Sequence, residues 1–203
     1  KCITHFSLRY ILVSLVGIIS ILIFMEYVVI EESPLAKFMF SNPKSAWFWF
    51  IVRVYVGYEW LMAGWGKIGM SAWTGDTAGA SLSGFVNGAL AKTAGAHPDV
   101  QGWYAWFLSH AILPHASFWS HAVAYGEFLV GVALILGIFT GIASFFGLFM
   151  NFNFLLAGAV SVNPILFILE VGLMFAWRIA GWIGCDRYLL TKIGTPWQKP
   201  HTQ

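Results

Sequence analysis

Apolar residues run through this chain in blocks long enough to cross a bilayer, and polar residues interrupt those blocks at few points. From Phe128 to Leu169 there is no Asp, Glu, Lys or Arg. A buried element of a soluble domain is shorter than that, so the run reads as two membrane-crossing helices joined by a tight turn at Thr140 and Gly141. The same reading along the whole sequence gives five spans near the ~20 residues that cross ~30 Å. They are residues 10–30, 47–68, 121–139, 142–160 and 164–183. Pro164 stands where a helix start tolerates it. The first span lacks the small-residue cleavage site of a secretory leader. The expected fold is an all-α membrane protein: a compact four-helix transmembrane bundle plus one additional N-terminal transmembrane helix. Residues 1–46 would be that first helix and a cytoplasmic linker. Residues 47–189 would be the four-helix domain, with residues 69–120 as its extracytoplasmic segment, and residues 190–203 a tail.

The polar residues inside these spans are the next signal, because a bilayer penalises them. In the second span Arg53, Gly57, Trp60, Gly64 and Lys67 recur at steps of four, three, four and three, which places them on one helical stripe. The glycines permit close approach of a neighbouring helix. Arg53 and Lys67 lie about 21 Å apart along the axis, so they belong to opposite membrane edges. Glu127 sits roughly 9 Å below the start of the third span, and Glu170 has a similar depth in the fifth. Asn153 approaches from the fourth span, with Asn151 slightly deeper. Lys67, Glu127, Asn153 and Glu170 therefore share the outer half of the membrane. Lys67 with Glu127 is the first expected pair, since a charge left alone there would neutralise. Arg53 and Arg178 form a separate inner layer. Two readings stay open for such residues: structural pairs that fix helix register, or a polar site. Asn151 and Asn153 also read as interhelical glue.

Lysine and arginine set the orientation. Arg178, Arg187, Lys192 and Lys199 place the C-terminal end inside, and residues 69–120, with Lys92 their one basic residue, lie outside. Residues 83–92 and 100–110 of that segment read as helices. The second carries Trp103, Tyr104, Trp106 and Phe107, an aromatic face suited to an interface or to capping a bundle.

Composition narrows the function. The chain of 203 residues is 59% hydrophobic and 10% charged, with a net charge of +2, and its mean hydropathy is +0.73. No basic cluster exists to bind nucleic acid. Cys2 and Cys185 lie at opposite ends with no metal or redox spacing. His97, His110, His115 and His121 fall in or beside the outer segment, and no histidine lies deep in a span. Haem, flavin and metal are thus not indicated. The expected surroundings are membrane lipid and further membrane or extracytoplasmic subunits.

In sequence the chain resembles the DoxX/DoxD-like membrane family over about residues 47–189. The resemblance rests on Arg53, Gly57, Gly64 and Lys67; on Glu127 and Gly131 followed by Leu136, Gly137 and Thr140; on residues 147–153; and on residues 96–103. It implies a four-helix unit in a bacterial or archaeal plasma membrane. Some relatives are the membrane subunit of thiosulfate:quinone oxidoreductase. The implied function is a quinone-interacting membrane subunit of an oxidoreductase complex, with the thiosulfate:quinone type as one candidate. On this view Lys67 acts as donor to the quinone and Glu127 as proton acceptor. Arg53, Asn153 and Glu170 add polar contacts, and Trp60, Trp65 and Trp106 line a slot for the ring. The alternative is a non-catalytic accessory subunit of a respiratory or photosynthetic complex, with Trp103, Trp106 and Trp119 as anchors.

Overall fold

The computed structural model describes residues 31–194. The span expected over residues 10–30 lies outside the described residues. A compact unit opens at Pro34. Its regular structure is helical throughout the described residues.

Helix α1, Pro34–Ser41, lies within the stretch expected to be a linker. It is held by its apolar side: Met39 and Phe40 pack on the core, and the Trp49 indole donates to the Met39 carbonyl at 2.7 Å. Asn42 then caps a short turn through Lys44 N–H, and Pro43 fits its start. Helix α2, Ala46–Lys67, follows at about 33 Å long.

The outer segment is structured, as its helical patterns suggest. It contains α3, Ser71–Thr74, α4, Ala80–Leu90, and α5, Gly102–Phe107. A π-helical turn, Leu108–Ile112, and the Pro114 turn lead without a break into α6, Ala116–Leu136. The third span expected at residues 121–139 is thus the end of a longer helical path, Gly102–Leu136. Among the described residues that path is the one long and apolar enough to cross a membrane.

Helix α7, Thr140–Leu156, and helix α8, Asn163–Phe175, are apolar but shorter, about 26 and 20 Å by rise. The turn before α7 falls at Gly137 to Phe139 rather than at Thr140 and Gly141. Gly137, at φ 68°, closes α6, with Ile138 N–H bonded back to the Ala133 carbonyl. The fifth span is broken: α8 stops at Phe175, and a short α9, Trp177–Ala180, precedes α10, Asp186–Ile193.

Helix α2 packs along α6, α7 packs along both α6 and α8, and α8 also touches α2. A Cβ on Gly64 would strike the Phe128 backbone, and one on Gly131 would strike the Leu61 backbone. The two helices therefore approach as closely as glycine allows. One apolar cluster, with Trp49, Val56, Trp60, Leu134 and Leu173, fills the space between these helices. A second, with Leu82, Val86, Tyr104, Leu108 and Ile112, lies beneath the outer segment.

The exposed surface is unlike that of a soluble protein, and several polar side chains are buried in the apolar core. Trp47, Ile51, Tyr55, Tyr58, Met62 and Trp65 line the exposed face of α2, and Ile142, Phe145, Phe149 and Phe152 that of α7. Arg53, Glu127, Thr140, Ser144, Asn151 and Glu170 are buried. Water would not leave such a belt uncovered, whereas lipid tails match it.

Candidate functional site

The stripe on α2 holds. Arg53, Gly57, Trp60 and Gly64 are all buried on its inward face, and Lys67 closes it with an ion pair to Glu127 of α6 at 2.5 Å. The pair sits at the edge of the core, with Lys67 20% exposed and Glu127 1% exposed. Lys67 also donates to the Ala63 carbonyl at 3.3 Å and stands 5.2 Å from the centre of the Trp73 ring.

Glu170 forms a separate site. It is fully buried on α8 and accepts from Trp60 Nε1 at 2.5 Å and from Asn151 Nδ2 at 3.1 Å. Gly147 of α7 provides the room, because a Cβ there would lie 2.8 Å from the Glu170 oxygen and 3.1 Å from the indole nitrogen. Among the described residues no cation is paired with this carboxylate.

Asn153 does not join either acid. Its Nδ2 donates back to the Phe149 carbonyl, and its backbone and side-chain carbonyls accept from the Tyr104 hydroxyl at 3.0 and 3.1 Å. Both residues line an apolar cavity of about 190 Å³. Its walls include Phe85, Phe107, Trp119, Val123, Met150 and Phe154, and the π-helical turn contributes Leu108 and Ile112. Such turns recur at functional sites. The Trp60 ring stacks on Phe154 at 6.3 Å, so aromatic contacts connect the Glu170 site to the cavity wall.

The remaining expected residues lie apart. Arg53 is at the other end of α2, about 21 Å from Lys67. Its guanidinium donates to the carbonyls of Leu134, Ile135 and Ile183, tying the α6 end to the loop before α10. Trp65 and Trp106 are 63% and 64% exposed and do not line the cavity. Trp65 lies against Phe128, and Trp106 stacks on His110. Trp119, expected as an outward anchor, turns inward and donates to the Ala111 carbonyl.

Tyr104, Ser144 and Asp186 were not singled out in sequence, and Thr140, Gly147 and Asn151 were not read there as one face. Tyr104 was one aromatic among several. Thr140, Ser144, Gly147 and Asn151 recur at steps of four, three and four, the same signal that marked α2. Asp186 accepts from Phe139 N–H at 2.6 Å and Thr140 N–H at 2.8 Å, capping α7 from a distant segment. No local spacing announces that contact.

An apolar outer belt around a core that holds buried polar side chains, helical throughout the described residues, defines a helical membrane protein. The family model described as DoxX matches residues 48–160, and the chain belongs to the DoxX family. No curated protein and no solved structure matches it.

Proposed function

We propose that this DoxX-family protein is a quinone-interacting membrane subunit of an oxidoreductase. In this reading α2, α6, α7 and α8 form a four-helix transmembrane bundle in the plasma membrane, and residues 10–30 add a further span. The observation that carries the proposal is the cavity beneath the outer segment. At about 190 Å³ it exceeds the roughly 150 Å³ space that accommodates a benzene ring, so a substituted quinone ring fits by volume. Its lining is almost wholly apolar and aromatic, with a phenol hydroxyl and an amide at one edge. That combination of an apolar body and few convergent polar groups suits a small planar ligand.

Within this reading the Tyr104 hydroxyl turns its one proton from the Asn153 oxygens to a quinone carbonyl. Val123 of the cavity wall and Glu127 lie one turn apart on α6, about 6 Å by rise. Glu127 then serves as the proton acceptor next along that helix, and Lys67, paired with it from α2, as the donor. A bound quinone would take up electrons and protons together, with redox centres supplied by a partner subunit. Solvent extraction of natively purified protein, followed by quinone analysis, tests the role. Co-purifying quinone is expected. Absence of quinone, with no quinone-dependent activity when partner subunits are present, rejects it.

The exposed rings of Trp103, Trp106 and Phe118 on the outer segment favour a second reading, an accessory subunit whose outer face docks a partner. Stoichiometric co-purification with respiratory or photosynthetic subunits, no bound quinone, and electron transfer unchanged by Lys67→Met would select it.

A further inference from the structure

The inward face of α7 carries polar atoms that no contact accounts for. Thr140, Ser144 and Asn151 are each fully buried. Thr140 Oγ1, Ser144 Oγ and Asn151 Oδ1 have no hydrogen-bond partner. Buried polar atoms are paired in the great majority of cases, and leaving one unpaired costs stability. Three on one helical face, where alanine or valine would cost nothing, indicate a face meant to hold water or protons. One end of the line borders open space, with the Thr140 hydroxyl itself buried just behind the wall. An open cavity of about 580 Å³ at the Arg53 end is lined by Thr140, Asp186, Trp177 and Leu190. It also has an end point. Glu170 lies at the level of Gly147, between Ser144 and Asn151, and is bonded to two neutral donors.

We propose that Glu170 is a buried proton-binding site that exchanges with one face of the membrane only, through the Thr140 and Ser144 hydroxyls from the cavity at the Asp186 end. The spacing suits a short file. Thr140 and Ser144 are about 6 Å apart by rise, and Ser144 is about 4.5 Å from the Gly147 level. In the proposed file one bridging water would span each gap, with the hydroxyls and the Glu170 carboxyl as its polar partners.

The one-sidedness follows from the donor chemistry. A hydroxyl both donates and accepts, so it can pass a proton on and be restored. The Trp60 indole N–H only donates, and the Asn151 amide presents its N–H to Glu170. Asn151 Nδ2 also holds the Asn163 carbonyl at 3.1 Å, which closes the route towards the Lys67 end. On uptake, a proton from water in the cavity joins the Thr140 end of the file. Each O–H bond broken along the file is replaced by one formed, and the last proton bonds to a Glu170 oxygen, giving the neutral acid. Release runs the same bonds in reverse, and no electrons move.

The charges on the surrounding elements are placed so as to leave Glu170 free to change state. Arg53 of α2 is bonded to carbonyls, and Asp186 to the start of α7. Lys67 of α2 and Glu127 of α6 are bonded to each other. The inference stands on these contacts and does not depend on what fills the cavity lined by Tyr104.

Infrared difference spectroscopy on the full chain in lipid, with pH steps between about 5 and 9, tests it. The spectrum should show a carboxylic-acid band that Glu170→Gln removes. The rate at which the band follows a pH jump should fall about tenfold or more in Ser144→Val and Thr140→Val. It should recover in Ser144→Thr and Thr140→Ser, which keep the hydroxyl. In oriented vesicles the band should follow a step on the Asp186 side and not on the other. A spectrum unchanged by Glu170→Gln overturns the proposal. So does exchange as fast in both valine variants, or a response to a step on either side. Elution profile and circular dichroism identify the folded variants, and Ser144→Ala replaces Ser144→Val should the latter misfold.

Discussion

Two glutamates are buried in the apolar interior of this protein, and their surroundings differ in kind. Glu127 is held at 2.5 Å by Lys67, a cation that itself reaches the surface. Glu170 has no cation among the described residues and is held by an indole and an amide. A carboxylate facing an ammonium has its anionic form favoured, and the two charges cancel in place. A carboxylate facing neutral donors has no such commitment, and its charge depends on proton supply. In the proposed reading Glu127 is tied to Lys67 until quinone chemistry hands it a proton, whereas Glu170 changes state with proton supply alone. Neither acid lines the Tyr104 cavity, which leaves ring binding to aromatic and aliphatic walls.

The largest expected effect comes from removing the cation. Lys67→Met leaves Glu127 buried and unpaired, and stability in detergent should fall by about 3–5 kcal/mol. Adding Glu127→Leu should restore most of it. A single substitution without thermal effect would break the contrast. Gly131→Ala should cost about 1–3 kcal/mol, because its Cβ meets the α2 backbone and forces apart the helices that carry the pair. Glu170→Gln should cost less than about 1 kcal/mol, since the amide retains an oxygen for Trp60 and Asn151 can turn its own amide to match. A loss as large as that of Lys67→Met would show that Glu170 is a fixed charge after all. Trp106→Ala, on an exposed ring, should stay within about 0.5 kcal/mol in the same melting experiment.

The legible part of this structure was periodic. The α2 stripe is one-sided in sequence, and Arg53, Gly57, Trp60 and Gly64 all lie on its buried face. Depth was legible too, because rise per residue converts a count into a height, and Lys67 meets Glu127. Rotation was harder to read. Asn151 and Asn153 lie at nearly the same height but about 200° apart around α7, so one faces Glu170 and the other faces Tyr104. A depth argument alone chooses between them arbitrarily. Aromatic residues were the least legible. Trp65, Trp106 and Trp119 look alike in sequence, yet of these only Trp119 lines the cavity; between Trp106 and Trp119 the π-helical turn and Pro114 reset the rotation of the helical path. The Asp186 cap on α7 spans distant segments and leaves no local trace.

The cavity as the quinone site is tested most directly by titrating the purified protein with a short-chain quinone and following tryptophan fluorescence, with Trp119 in the cavity wall as the reporter. Saturable quenching is expected. Val123→Trp, which fills the cavity, should weaken binding by at least about tenfold, equivalent to about 1.4 kcal/mol. Trp65→Phe, on the exposed face of α2, should leave the affinity unchanged. Quenching that never saturates, or the same affinity with the cavity filled, would contradict the assignment.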